Sequence, residues 1–226
     1  MAEAAPAAGI APAGPVVRRL GRTDYAATLA RMREFTRARD AGSADEIWLT
    51  EHAPVFTLGQ AAAPGHVHDA GGIPVVSTDR GGQVTYHGPG QLVAYVLIDL
   101  HRRGLTVGAL VRGLEAAVIA TLAMLGIAAQ RRAGMPGVYV GAAKIASLGL
   151  KVARGRSYHG VSLNGDVDLA PFGRIDPCGY RGLAVTRVAD LAPGWDGERV
   201  GGLLAAHIAA QLSEAAAAGK RTGRDS

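Results

Sequence analysis

Two residues of reactive chemical type stand out because their types are rare. The 226-residue sequence holds one cysteine, Cys178, in the run Asp176-Pro177-Cys178-Gly179-Tyr180-Arg181. Proline and glycine on either side place it in a loop, and Gly179 leaves room for a substrate to approach the thiol. A lone cysteine is most often a small buried apolar residue. To act as a nucleophile it needs a base, or a nearby cation that favours the thiolate. Of 24 basic residues only Lys144, Lys151 and Lys220 are lysine, the others being arginine. Arginine keeps its proton, whereas a desolvated lysine can give it up. Lys144 interrupts the apolar, small-residue run from Val138 to Gly149, where an ammonium must snorkel to water or meet an anion. Lys151 reads as a surface residue. His87 and His159 are rival bases, because imidazole titrates nearest neutrality.

A third stretch carries polar groups on an open backbone. Arg80-Gly81-Gly82-Gln83-Val84-Thr85-Tyr86-His87-Gly88-Pro89-Gly90-Gln91 has four glycines and a proline in twelve residues, which excludes helix. It reads as a glycine loop with a short extended piece at 84–86, feeding a buried strand over 92–100. Glycines let the chain approach a ligand closely and expose N–H groups to carbonyl or phosphate oxygens. The competing reading is a hairpin with solvated polar residues.

The elements around these stretches follow from periodicity. Thr23 reads as the N-cap of a helix over 24–39, with Tyr25, Leu29, Met32 and Phe35 on one face and arginines toward water. Residues 47–50, 55–58 and 74–78 are short strands, and residues 60–72 form a polar loop. His66 and His68 lie in that loop without a third ligand spaced nearby, so no metal site is expected. Thr106 opens what reads as the longest helix, its stripe running through Leu110, Leu114, Val118, Leu122 and Leu125 to a C-cap at Gly126. Residues 137–140, 142–152 and 157–164 are closely spaced strands of antiparallel type, and a last helix spans 197–215. Strands cluster centrally with helices apart, so the fold class is α+β.

Composition narrows the classes. The length suits one domain with a large core, here residues 16–213, flanked by a flexible Ala/Pro/Gly-rich arm over 1–15 and a fraying tail over 214–226. No apolar run nears the ~20 residues of a membrane span, and the N-terminus lacks the pattern of a targeting peptide. A single cysteine excludes an internal disulfide and suits a reducing cytoplasm. Net charge +5 fits acidic partners or simple solubility. The basic residues are scattered, which gives no support to nucleic acid binding.

Taken together, the blocks resemble the lipoyl(octanoyl) transferases of the LipB type. The resemblance rests on the stretch from Arg80 to Tyr95, on Gly141-Ala142-Ala143-Lys144-Ile145-Ala146-Ser147-Leu148-Gly149, on Tyr158 to Asn164, on Asp176 to Gly179, and on Glu51 to Gly59. It implies the fold of the biotin/lipoate protein ligase superfamily, a mixed, largely antiparallel sheet backed by helices. It implies transfer of an octanoyl group from acyl carrier protein to a lysine of lipoyl domains, those of 2-oxoacid dehydrogenases and the glycine cleavage H protein, with no cofactor. By the same resemblance Cys178 accepts the acyl group and Lys144 favours its thiolate and moves the proton. Arg80, Gly81, Gly82, Gln83, Val84, Thr85, Tyr86 and His87, with Ser147, Leu148 and Gly149 and with Gly160, Val161 and Ser162, line the acyl and carbonyl site. Three other readings stand beside it: an ATP-dependent lipoate or biotin ligase, a cysteine thioesterase, and a non-catalytic module that binds acyl chains or lipoyl domains.

Overall fold

Strand structure begins earlier than the periodicity predicts. The computed structural model describes residues 14–63, 65–176 and 182–222. Its first strand, β1 (Val16–Thr23), lies at one edge of the large sheet and pairs in parallel with β2 (Glu46–His52). Helix α1 (Tyr25–Ala38) joins the two. Thr23, expected to cap this helix, ends β1 instead. The cap is Asp24, whose carboxylate accepts the Ala27 N–H at 2.8 Å.

The large sheet has seven strands in the order β1-β2-β6-β10-β9-β8-β7. Its later members are β6 (Gln91–Leu97), β7 (Gln130–Arg132), β8 (Met135–Val140), β9 (Ala143–Ala153) and β10 (Arg156–Asn164). All pairings but β1–β2 are antiparallel. A second, three-stranded sheet, which the sequence reading did not separate, is formed by β3 (Val55–Leu58), β4 (Val75–Ser77) and β5 (Val84–His87) in the order β4-β3-β5.

Strand β6 is buried along its whole length because both faces of the sheet are covered. Leu92, Ala94 and Val96 face α3 (Val107–Ala123) and α4 (Gly197–Thr222) in the main core. Val93, Tyr95 and Leu97 face α1 with Tyr25, Leu29 and Met32. The strand stops at Leu97, short of the expected Leu100, which instead opens the one-turn helix α2 (Leu100–Arg103). The third cluster joins Phe56, Val84 and Tyr86 of the small sheet to Phe172 within the 3₁₀ turn Ala170–Arg174 and to Ile175 just after it.

Thr106 caps α3 as expected, its hydroxyl accepting the Ala109 N–H, and Gly126 adopts φ 75° where the Ile127 N–H returns to the Leu122 carbonyl. The longest helix is α4, with 26 residues against 17 in α3. It runs on to Thr222, through part of the expected tail, because alanines at 215–218 favour helix. Nor do all arginines face water. Arg39, read on the wet side of α1, is buried with Arg103 against Asp45, each at 2.5 Å.

Candidate active site

One pocket gathers most of the expected site residues. Its wall takes Arg80, Gly82, Gln83, Val84, Thr85 and His87 from the glycine loop and β5, and Lys144, Ser147, Leu148 and Gly149 from β9. Gly160, Val161 and Ser162 of β10 complete the expected set. Among the described residues, two expected ones are absent from this wall. Tyr86 points the other way, its ring 5.5 Å from both Phe56 and Phe172, because successive strand residues face opposite sides. Gly81 lies behind the wall with its amide spent on the Leu150 carbonyl at 2.8 Å.

That bond explains the glycine pattern better than ligand approach does. A side chain at Gly149 would put its Cβ 2.9 Å from the Gly81 carbonyl oxygen, and one at Gly160 would overlap the Ala94 carbonyl. The glycine loop therefore lies directly on β9, and β10 lies tight against β6. Arg80 fixes the same loop from below. Buried, it donates through Nη2 to the carbonyl (2.6 Å) and hydroxyl (2.8 Å) of Thr57 on β3.

The wall also contains four residues not assigned to it from sequence: Tyr25, Val93, Tyr95 and His159. Strand alternation carries the signal for two of them, since Val93 and Tyr95 stand two apart on the β6 face opposite Leu92, Ala94 and Val96. Behind them the polar groups are paired and uncharged. Tyr95 donates to His52 Nε2 at 2.6 Å, and His52 Nδ1–H donates to the Thr23 carbonyl at 3.0 Å. Burial holds His52 below its usual range and pushes Tyr95 well up, so both stay neutral. His87 Nδ1–H donates to Gln91 Oε1 at 2.6 Å, and burial, reinforced by His52, lowers its pKa to about 3.

His159 donates Nε2–H to Asp79 at 2.8 Å. Burial lowers it to about 4, although the carboxylate pulls the other way. Burial opposes ionisation of Asp79 too, yet hydrogen bonds from His159, Tyr158 and Arg33 hold it at about 2. A general base works best with a pKa near the working pH. Neither His87 nor His159 meets that condition.

Lys144 does not snorkel. It is 3 % exposed, its Nζ donates to the Pro136 carbonyl at 2.9 Å, and it sits 5.6 Å from the centroid of the Tyr139 ring. Its backbone is gripped as well: the Lys144 N–H donates to Ala184 at 2.8 Å and its carbonyl accepts from Thr186 at 3.0 Å. Lys151, by contrast, is half-buried near the far end of β9. Cys178 lies outside the described residues, but the chain on both sides of it is anchored. Asp176 donates its N–H to the His66 carbonyl (3.0 Å) and accepts from His68 Nε2 (2.8 Å). His68 thus serves a hydrogen bond to the segment leading to the cysteine. Beyond it, Ala184 and Thr186 hold Lys144.

Comparison with known proteins agrees with this architecture. The family model described as lipoyl protein ligase A/B catalytic domain matches residues 24–209. An octanoyltransferase of Aromatoleum aromaticum is 61 % identical over 186 residues, which is 82 % of this chain and 80 % of that protein. An octanoyltransferase of Dechloromonas aromatica is 54 % identical over 200 residues, covering 88 % and 98 %. Among solved structures, a lipoate-protein ligase A bound with ATP superposes with a TM-score of 0.73 at 18 % identity, covering 88 % of this chain and 86 % of that one. The biotin protein ligase of Aquifex aeolicus gives 0.55 at 13 %, covering 89 % and 71 %. These last two show the lipoate/biotin protein ligase fold, with its mixed, mostly antiparallel sheet. With the family model running from the α1 cap into α4, and identity above half with octanoyltransferases across the strands that build the pocket, the chain belongs to the octanoyltransferase (LipB) family, enzymes of the first step of protein lipoylation.

Proposed function

We propose that this enzyme moves an octanoyl group from octanoyl-acyl carrier protein to the lysine of a lipoyl domain through a thioester on Cys178, with Lys144 as its proton carrier. The acceptors are the lipoyl domains of 2-oxoacid dehydrogenases and the glycine cleavage H protein, and the reaction takes place in the cytoplasm. Residues 16–213 act as one catalytic domain. The observation that carries the reading is Lys144: a buried ammonium on the pocket wall, backbone-paired to the chain that leaves the cysteine segment.

The chemistry balances with those two groups alone. The Cys178 thiolate, favoured by the neighbouring ammonium, attacks the donor's thioester carbon. The new C–S bond forms as the bond to the carrier's sulfur breaks, and the departing thiolate takes a proton from Lys144. The amine of Lys144, no longer facing an anion, then receives the proton of the attacking acceptor lysine. The C–S bond to Cys178 breaks, and the thiolate–ammonium pair is restored. The first half exchanges one thioester for another and the second turns a thioester into a more stable amide, so neither half needs ATP.

The pocket suits the acyl tail. Val93, Leu148 and Val161 are apolar, and Tyr25, Tyr95, His87 and His159 present neutral rings. Intact-mass measurement after mixing with octanoyl-acyl carrier protein tests the intermediate: one octanoyl group should appear on the enzyme and leave when a lipoyl domain is added. Loss of the label to water at the same rate without acceptor would indicate a thioesterase. Acyl transfer that needs free octanoate and ATP would indicate a ligase.

A further inference from the structure

Helix α3 buries one charge in its apolar stripe. Glu115 is 6 % exposed, beside Leu114, Ala117 and Val118. Its outer oxygen meets Arg131 at 3.1 Å, and its inner oxygen accepts the N–H of Gly137 on β8 at 3.1 Å. That N–H belongs to the same peptide group as the Pro136 carbonyl, which accepts from Lys144 Nζ at 2.9 Å. A trans peptide is planar, with N–H and C=O on opposite edges. The carboxylate and the ammonium therefore hold one amide from its two sides.

Each hydrogen bond to this amide is charge-assisted, and the two polarise it in the same sense. Gly137 completes the arrangement. At φ 135° it occupies backbone space open to glycine, and a Cβ there would overlap Lys144 Cε and lie 2.8 Å from the Ala146 carbonyl oxygen. The lysine stem passes where residue 137 has no side chain. A carboxylate serving only to join α3 to β8 would not need to meet the amide that holds Nζ.

We infer that Glu115 is a positioning residue for octanoyl transfer, holding the ammonium of Lys144 at the pocket wall through the Pro136–Gly137 peptide. The inference rests on the reading of Lys144 as proton carrier, and its test separates the two. The chain has three lysines, so ¹³C-lysine labelling yields three ε-methylene signals, with that of Lys144 displaced by the Tyr139 ring. Glu115→Met removes the acceptor at similar volume. Its Lys144 signal should move toward that of free lysine, and single-turnover transfer should slow by about tenfold or more at unchanged affinity for both protein substrates, since an ångström of misplacement costs on the order of a hundredfold. Glu115→Gln keeps a neutral acceptor for Gly137 and should retain the displaced signal and transfer within about threefold.

Glu115→Leu, which suits the apolar stripe, stands in if the methionine variant does not fold. A folded methionine or leucine variant with wild-type signal and transfer rate would overturn the inference. So would a glutamine variant as impaired as the methionine one. If Lys144→Met itself transfers normally, the proton-carrier reading fails, while the ε-methylene signal still decides whether Glu115 holds the lysine.

Discussion

His159 reaches Asp79 from a backbone held at φ 61°, a left-handed conformation that a non-glycine residue inside a β-strand seldom takes. Such a residue costs on the order of 1–3 kcal/mol and persists where its surroundings over-determine it. Here the surroundings are Asp79, the Tyr158 ring stacked at 5.0 Å and the Tyr95 ring at 6.2 Å. The twist turns the imidazole into the pocket wall as a neutral donor to a carboxylate.

This arrangement gives stability a defined acid limb. The folded pKa values of His87 (about 3) and His159 (about 4) lie below their ordinary 6.5. Below pH 6.5 the unfolded chain thus binds more protons, and stability falls as pH drops toward 4. Asp79, held at about 2 against an ordinary 3.8, contributes stability that is lost between about pH 4 and 2. Each histidine should add a slope of about 1.4 kcal/mol per pH unit. Urea midpoints of His159→Asn, which tolerates the left-handed backbone, should show a shallower fall from pH 6.5 to 4.5. Equal slopes for variant and wild type would contradict the neutral-imidazole assignment.

Lys144→Arg keeps a cation but cannot accept a proton at working pH. Acylation of Cys178 should survive in part, while transfer to the acceptor slows strongly, so acyl-enzyme accumulates. Raising the pH from 7 to 9 should restore some transfer, as more of the acceptor lysine becomes neutral unaided. Rapid-quench measurement of the two half-reactions decides this. Equal losses in both, without recovery at high pH, would reduce Lys144 to a charge or packing group.

Cys178→Ser should abolish acyl-enzyme formation and turnover and leave the thermal midpoint within a few degrees of wild type, because the change is nearly isosteric. Wild-type turnover by the serine variant would sink the covalent route.

The pocket's apolar wall predicts a chain-length dependence. Each buried methylene is worth about 0.8 kcal/mol, so hexanoyl donor should lose roughly fifteenfold in kcat/KM relative to octanoyl. A flat profile from six to twelve carbons would mean that the tail is not enclosed.

Gly149→Ala should be costly for its type. The new Cβ, 2.9 Å from the Gly81 carbonyl oxygen and 3.1 Å from Arg80 Cδ, must lift the glycine loop off β9. A loss of about 1–3 kcal/mol in stability, together with a fall in kcat/KM, is expected from denaturation and steady-state kinetics. A neutral effect on both would show that loop and strand are not tightly docked.

Much of this was readable in the residues themselves. The strands flanking Lys144 and the stripe of α3 follow from local periodicity, and the turn glycines confirm where they break. Facing was readable too: in β5 the alternation that sets Tyr86 opposite Thr85 and His87 needs only a period of two. What escaped is non-local or lacks a buried face. Strand β1 is mostly exposed, with a bulge between Arg19 and Gly21, so no hydrophobic alternation marks it. Asp45 draws Arg39, Arg102 and Arg103 together across up to 58 positions. Glu115 meets Gly137 only because α3 packs on β8, 22 residues later.

The described residues before and after Cys178 are bonded to different parts of the molecule. On one side Asp176 is bonded to the His66–His68 loop, which links β3 to β4 of the small sheet; on the other Ala184 and Thr186 clasp Lys144 in the large sheet. Asp176 is thereby held by the loop of the small sheet, and Ala184 by β9 of the large one. The Asp176 and Lys144 amides, donated to His66 and Ala184, are therefore separate exchange reporters of the two anchorages.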